Sequence, residues 1–164
     1  WNAGDCMTDS NFAERLIAMR ETLFRMCYAQ LPQGCDREDA VQETLLKAWG
    51  HRKSLRDERF LQTWVIRILI NECRNIQRSR EIPHESVPER AAPDTANAEL
   101  HDALFRLEEK LRLPVILHYI EGFSAGEAAA ILKIPRGTLL WRLSKARGKL
   151  REALDPVKEV QNHV

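Results

Sequence analysis

The sequence predicts an all-α protein of two small helical domains joined by a flexible linker, the C-terminal one containing a helix-turn-helix. Three observations carry that expectation. Apolar residues recur at spacings of three and four along most of the chain, the period of a helix with one buried face. A proline-bearing polar segment from Glu81 to Ala98 divides these repeats into two groups. Near the C-terminus two short helical patterns meet at Lys133–Arg136, Lys-Ile-Pro-Arg, a break that suits two helices folded against each other.

The first repeat places Phe12, Leu16, Met19, Leu23 and Cys27 on one stripe, which predicts a single helix over 12–31 ended by Leu-Pro-Gln-Gly at Leu31–Gly34. Asp36 is the expected cap of a second helix. Val41, Leu45, Ala48 and Trp49 form its inner face, with Asp39, Gln42, Glu43 and Lys47 outside. Gly50–Arg59 reads as a polar, basic connection. Phe60–Arg80 then begins apolar on nearly all sides, as the central helix of a bundle would, and ends polar with Arg74, Arg78 and Arg80. Cations favour a helix C-terminus whatever else they do.

The segment 81–98 holds Pro83, Pro88 and Pro93 with Glu81, Glu85, Glu89 and Asp94, and little apolar surface. Beyond it, Leu100, Leu104, Leu107 and Leu111 give a helix over 99–111 its inner stripe, and Pro114 belongs at the start of another over 113–120. Gly122 is free to take the left-handed conformation that ends a helix. Ser124 with Glu127 three residues on is a capping box opening the next helix, in which small Ala129 allows close helix approach. Pro135 opens the last. There Leu139, Leu143, Ala146 and Leu150 fall on one side, and Trp141, Ser144, Lys145 and Gly148 on the other. From Lys133 to Arg151 the charged residues are Lys133, Arg136, Arg142, Lys145, Arg147, Lys149 and Arg151, with no carboxylate among them. By charge and period this face suits either solvent or a phosphate backbone; the short connection favours DNA.

Composition narrows the function classes. The chain has 25 basic and 24 acidic residues, so a nucleic-acid surface must come from segregated charge. Val65–Ile70, broken by Arg67, is too short to span a membrane, and Trp1–Ser10 lacks a leader pattern; a cytoplasmic protein is expected. Cys6, Cys27, Cys35 and Cys73 form no Cys-x-x-Cys pair, and the five histidines are scattered. Reduced thiols are expected, with Cys27 and Cys73 buried. No metal cluster, phosphate-cradling loop or catalytic constellation stands out, so no metal, no cofactor and no enzyme activity are expected.

Taken in order, the two halves resemble RNA polymerase sigma factors of the extracytoplasmic-function group. The resemblance covers nearly the whole chain. Asp-Arg-Glu-Asp-Ala-Val-Gln-Glu-Thr-Leu-Leu-Lys-Ala-Trp, from Asp36, is similar to the segment with which that family grips the polymerase clamp, which implies that Asp39, Gln42 and Glu43 face core polymerase. Ser54, Leu55 and Arg56 resemble the loop holding a flipped base of the minus-ten element, and Phe60, Trp64, Arg67, Ile68, Asn71 and Arg78 match the family's long helix. The resemblance thus implies minus-ten contacts from Ser54, Leu55, Arg56, Asn71, Arg74, Asn75 and Arg78. In the second half Leu113-Pro114, Phe123, Glu127, Ala129, Ile-Pro-x-Gly-Thr from Ile134 and Arg-Leu-x-x-Ala-Arg from Arg142 stand in the family's places. They imply that Arg136, Thr138, Leu140, Trp141, Arg142, Ser144, Lys145 and Arg147 meet the minus-thirty-five element in the major groove. The implied division is a region 2 domain over 1–80, a linker over 81–98 and a region 4 domain over 99–164.

The chain departs from the family at Ile66 and Asn75, where many members have an aromatic and Asp, and at Leu140 and Trp141, where the family has a basic or polar residue followed by Ser. Neither Leu nor Trp makes the bidentate hydrogen bonds that discriminate purines. They suit thymine methyl groups or a protein partner. By resemblance the partners are core RNA polymerase, promoter DNA and an anti-sigma protein. The alternative is a helix-turn-helix regulator that acts without being a polymerase subunit, and a helical adaptor with no DNA role is a third reading.

Overall fold

The computed structural model describes residues 8–80 and 98–155, and the chain divides into two compact units, Trp1–Ala91 and Ala92–Val164. Every regular element among the described residues is helical. The expected linker lies outside them except for Ala98, which opens a helix.

In the first unit the expected helix over 12–31 is two, α1 (Asp9–Ala18) and α2 (Arg20–Tyr28). Thr8 caps α1 by accepting the Asn11 N–H. The break is a tight turn in which the Met19 N–H donates to the Leu16 carbonyl at 3.1 Å. Each helix then serves a different neighbour: Phe12 of α1 lies against Trp49, ring centroids 6.2 Å apart, while Leu23, Met26 and Cys27 of α2 are fully buried. Periodicity alone cannot register such a change of partner.

Helix α3 (Gly34–Gly50) starts two residues before Asp36, so Asp36 is not its cap. The cap position falls to Gln33, without a side-chain bond, and Asp36 is instead a buried first-turn acid paired with Arg80. Val41 and Ala48 are buried as expected, joined by Ala40 and Thr44, whose hydroxyl donates to the Ala40 carbonyl. Trp49, expected inside, lies at the rim instead: it is 39 % exposed, with one ring face covered by Arg52 at 4.4 Å. Two single 3-10 turns, Arg52–Ser54 and Glu58–Phe60, organise the connection, and α4 (Leu61–Arg80) follows. Its Leu61, Val65, Ile66, Leu69, Ile70 and Cys73 fill the core against α2 and α3. The Cys27 and Cys73 thiols meet there, 3.8 Å apart and not joined in a disulfide.

In the second unit α5 (Ala98–Arg106) ends earlier than expected and α6 (Glu109–Val115) begins at Glu108 as cap. Pro114 therefore lies inside a helix, and the chain runs on through a wider π turn, Ile116–Ile120. Buried Arg112 explains the early break: its guanidinium donates to the Phe105 and Leu107 carbonyls at 3.2 and 3.3 Å and lies over the Phe105 ring. These bonds satisfy carbonyls that the end of α5 leaves open. Leu104, Leu107 and Leu111 are buried, but Leu100 is exposed. Gly122 takes φ +77° as expected, and α7 (Ala125–Leu132) and α8 (Arg136–Leu154) close the unit.

Candidate nucleic-acid interface

The geometry of α7 and α8 follows from local rules. The Ser124 hydroxyl accepts the Glu127 N–H at 3.2 Å, and the Glu127 carboxylate accepts the Ser124 N–H at 2.8 Å. This reciprocal pair satisfies two otherwise open donors, and its hydrogen bonds with Ser124 hold the Glu127 carboxyl below its ordinary pKa. Lys133 ends α7 with φ 54° and ψ 44°, the left-handed conformation usually left to glycine. The Ile134 N–H then reaches the Ala129 carbonyl at 3.0 Å. Pro135 stands as the extended cap rather than the first residue of α8.

Leu139, Leu143 and Ala146 bury one side of α8. On the rest, Arg136, Ser144, Lys145 and Arg147 are exposed, Thr138 and Arg142 are half-buried, and Leu140 and Trp141 are 45 % and 56 % exposed. The Lys145 ammonium lies over the Trp141 ring, 4.9 Å from its centroid. Lys149 leans back toward Glu108, at 3.9 Å. The eight upstream-element residues therefore share one helix whose solvent side carries cations and no carboxylate up to Arg151. Such a surface suits a polyanion.

In the first unit, Lys47, His51, Ser54, Trp64, Ile68, Asn71 and Glu72 line an open groove of about 300 Å³. Of the seven expected minus-ten residues, only Ser54 and Asn71 enter it. The Ser54 hydroxyl is turned back to donate to the His51 carbonyl at 2.7 Å. Leu55 and Arg56 follow Ser54 on the connection, and Arg74, Asn75 and Arg78 continue α4 beyond the groove. Trp64, Ile68, Asn71, Asn75 and Arg78 succeed one another at spacings of four, three, four and three, a second stripe opposite the buried one. Sequence reasoning passed over His51 and Lys47 as groove residues. That stripe in α4 is the signal from which a lining could have been sought.

Asp39, Gln42 and Glu43 are exposed together on α3. Lys47 joins that face to the groove, lying 3.6 Å from Glu43 and 2.8 Å from Glu72, and the hydrogen bond to Glu72 raises its pKa. No group of three or more metal-ligating side chains occurs among the described residues, and none of their helices is long and apolar enough to cross a membrane.

Comparison with known proteins matches both units in order. The family model for Sigma-70 region 2 matches residues 17–81, and that for Sigma-70, region 4 matches residues 97–150. The RNA polymerase sigma-E factor of Streptomyces coelicolor is 30 % identical over 151 residues, covering 87 % of this chain and 85 % of that protein. The chain belongs to the extracytoplasmic-function group of RNA polymerase sigma factors. The group's member SigL of Mycobacterium tuberculosis is 33 % identical over 145 residues, covering 80 % of this chain and 82 % of SigL. Among solved structures, the sigma factor RpoE of Bartonella quintana, in complex with the anti-sigma factor NepR, aligns with a TM-score of 0.72 at 30 % identity over 90 % of this chain and 98 % of that one. CnrH in complex with the cytosolic domain of CnrY aligns at 0.73 and 26 % identity, over 90 % of each chain. This sigma factor is accordingly a transcription initiation factor with the all-helical fold of its group.

Proposed function

We propose that this sigma factor divides promoter recognition between its units as its family does, with residues 1–80 as region 2, 81–98 as linker and 99–164 as region 4. Asp39, Gln42 and Glu43 dock the first unit on core RNA polymerase. Ser54, Leu55, Arg56, Asn71, Arg74, Asn75 and Arg78 then hold the melted minus-ten strand, the groove beside Ser54 and Asn71 offsetting an unstacking cost on the order of a few kcal/mol per base. Arg136, Thr138, Leu140, Trp141, Arg142, Ser144, Lys145 and Arg147 set the upstream register in the major groove. The observation that carries this reading is the solvent side of α8, with cations and no carboxylate up to Arg151, on a capped helix-turn-helix. The protein acts in the cytoplasm, performs no covalent chemistry and is held in check by an anti-sigma factor. The complex of the similar Bartonella protein with NepR supports that last point.

Run-off transcription with core polymerase tests it, comparing the parent with an Asp39→Ala, Glu43→Ala double variant. Specific initiation that the double variant loses supports the docking surface. Initiation that the variant keeps removes α3 from the polymerase interface, and failure of the parent at every promoter, with DNA still bound, returns the chain to a plain helix-turn-helix regulator.

A further inference from the structure

Viewed down α8, at about 100° per residue, the surface divides into three lanes. Arg136 and Arg147 lie on one flank of the outward face, with Leu140 on the same side. Arg142 and Lys145 lie on the other. Between them, diametrically opposite buried Leu139 and Leu143, runs a lane of Gly137, Trp141, Ser144 and Gly148. In that lane Trp141 is the one large side chain, 56 % exposed, and Lys145 caps one face of its ring. A Cβ built on Gly137 or Gly148 would meet nothing within 4 Å, so packing within the protein does not explain the absence of a side chain at either place.

A major groove has this plan, two phosphate ridges with base edges between them. An apolar protein partner would not call for cations on both sides of its anchor, whereas a helix lying in the groove requires them. Trp141 stands in the second turn of α8, within the N-terminal part that a recognition helix turns toward the bases. We infer that Trp141 is the specificity-determining residue for the upstream element and reads the 5-methyl group of thymine. Indole offers a single hydrogen-bond donor, so it does not distinguish purines by bidentate bonding. Apolar contact with the thymine methyl is the discrimination left to it. This inference rests on the upstream role proposed for α8.

The test uses holoenzyme, the full chain bound to core polymerase, to select an upstream element from duplexes randomised in that region. Thymines of the selected element are then replaced singly by deoxyuridine, which removes only the methyl group. The expected result is a selected element with at least one thymine whose replacement weakens promoter binding about fourfold, the worth of one buried methyl-sized group. Trp141→Ala should abolish that sensitivity, and Trp141→Phe should keep part of it. A selected element indifferent to deoxyuridine overturns the inference while leaving upstream binding in place. Loss of sensitivity in neither variant overturns it too. If no element is selected at all, and Arg142→Ala with Arg147→Ala changes nothing, the underlying upstream role fails and the inference with it.

Discussion

Arg80, the last residue of α4, bonds to Asp36 in the first turn of α3, its guanidinium 2.5 Å from a carboxylate oxygen that is almost wholly buried. The pair fastens the open end of the two helices that make most of the first unit's contacts. Removing the cation leaves a buried carboxylate with the α3 N-terminus and a long contact from the Cys35 thiol at 3.9 Å. Arg80 is itself 36 % exposed, which tempers the cost of breaking a buried pair. Arg80→Ala should destabilise the protein by about 2 kcal/mol in urea unfolding. Adding Asp36→Asn should recover part of that loss, and a cycle with no coupling between the two changes would show that the pair does not fasten the helices.

Lys133 holds a left-handed backbone that costs an ordinary residue about 1 kcal/mol or more. Lys133→Gly relieves that strain, while adding freedom to the unfolded chain, and should stabilise the protein by about 0.5 kcal/mol. Lys133→Val, whose branched Cβ fits this conformation poorly, should destabilise it by about 1 kcal/mol. Thermal unfolding should therefore rank Gly above Lys above Val. The reverse order would mean that the turn relaxes to another geometry.

Folding lowers the Glu127 pKa beneath its ordinary value of 4.5, through hydrogen bonds with Ser124. The stability this brings is complete above 4.5 and is lost as pH falls through the lower folded value. Glu127→Gln keeps the reach of the capping box but not the charge. The variant should unfold at lower temperature than the parent at pH 7, and the gap should narrow progressively as the pH is taken below 4.5. A gap of constant size across that range would assign the effect to shape rather than ionisation.

What could be read from sequence was what local chemistry determines. Ser124, Glu127, Gly122 and the outward positions of α8 lie where spacing puts them, because a cap, a left-handed turn and a helical period need no distant partner. Two of the misplaced boundaries answer to contacts that spacing does not carry. Met19 breaks a stripe because α1 and α2 face different neighbours, and Arg112 ends α5 early by bonding the Phe105 and Leu107 carbonyls. No pattern of apolar residues announces a buried arginine. The groove beside Ser54 was half legible for the same reason: Asn71 lies on a regular stripe, whereas His51 and Ser54 reach it through the 3-10 turn that follows α3.

Arg142 and Arg147 flank the outward lane of α8 on opposite sides, so each should face a different phosphate ridge when the helix lies in a groove. A cation that neutralises one phosphate releases about one counterion, and that release sets the salt dependence of binding. For holoenzyme on promoter DNA, Arg142→Ala and Arg147→Ala should each make the slope of log K against log salt shallower by about one. Their losses of affinity should be similar across different upstream sequences, since phosphates carry no sequence. Trp141→Ala, which removes no charge, should leave the slope unchanged. If either arginine variant altered sequence preference at constant slope, that residue would lie against base edges and the helix would be rotated in the groove.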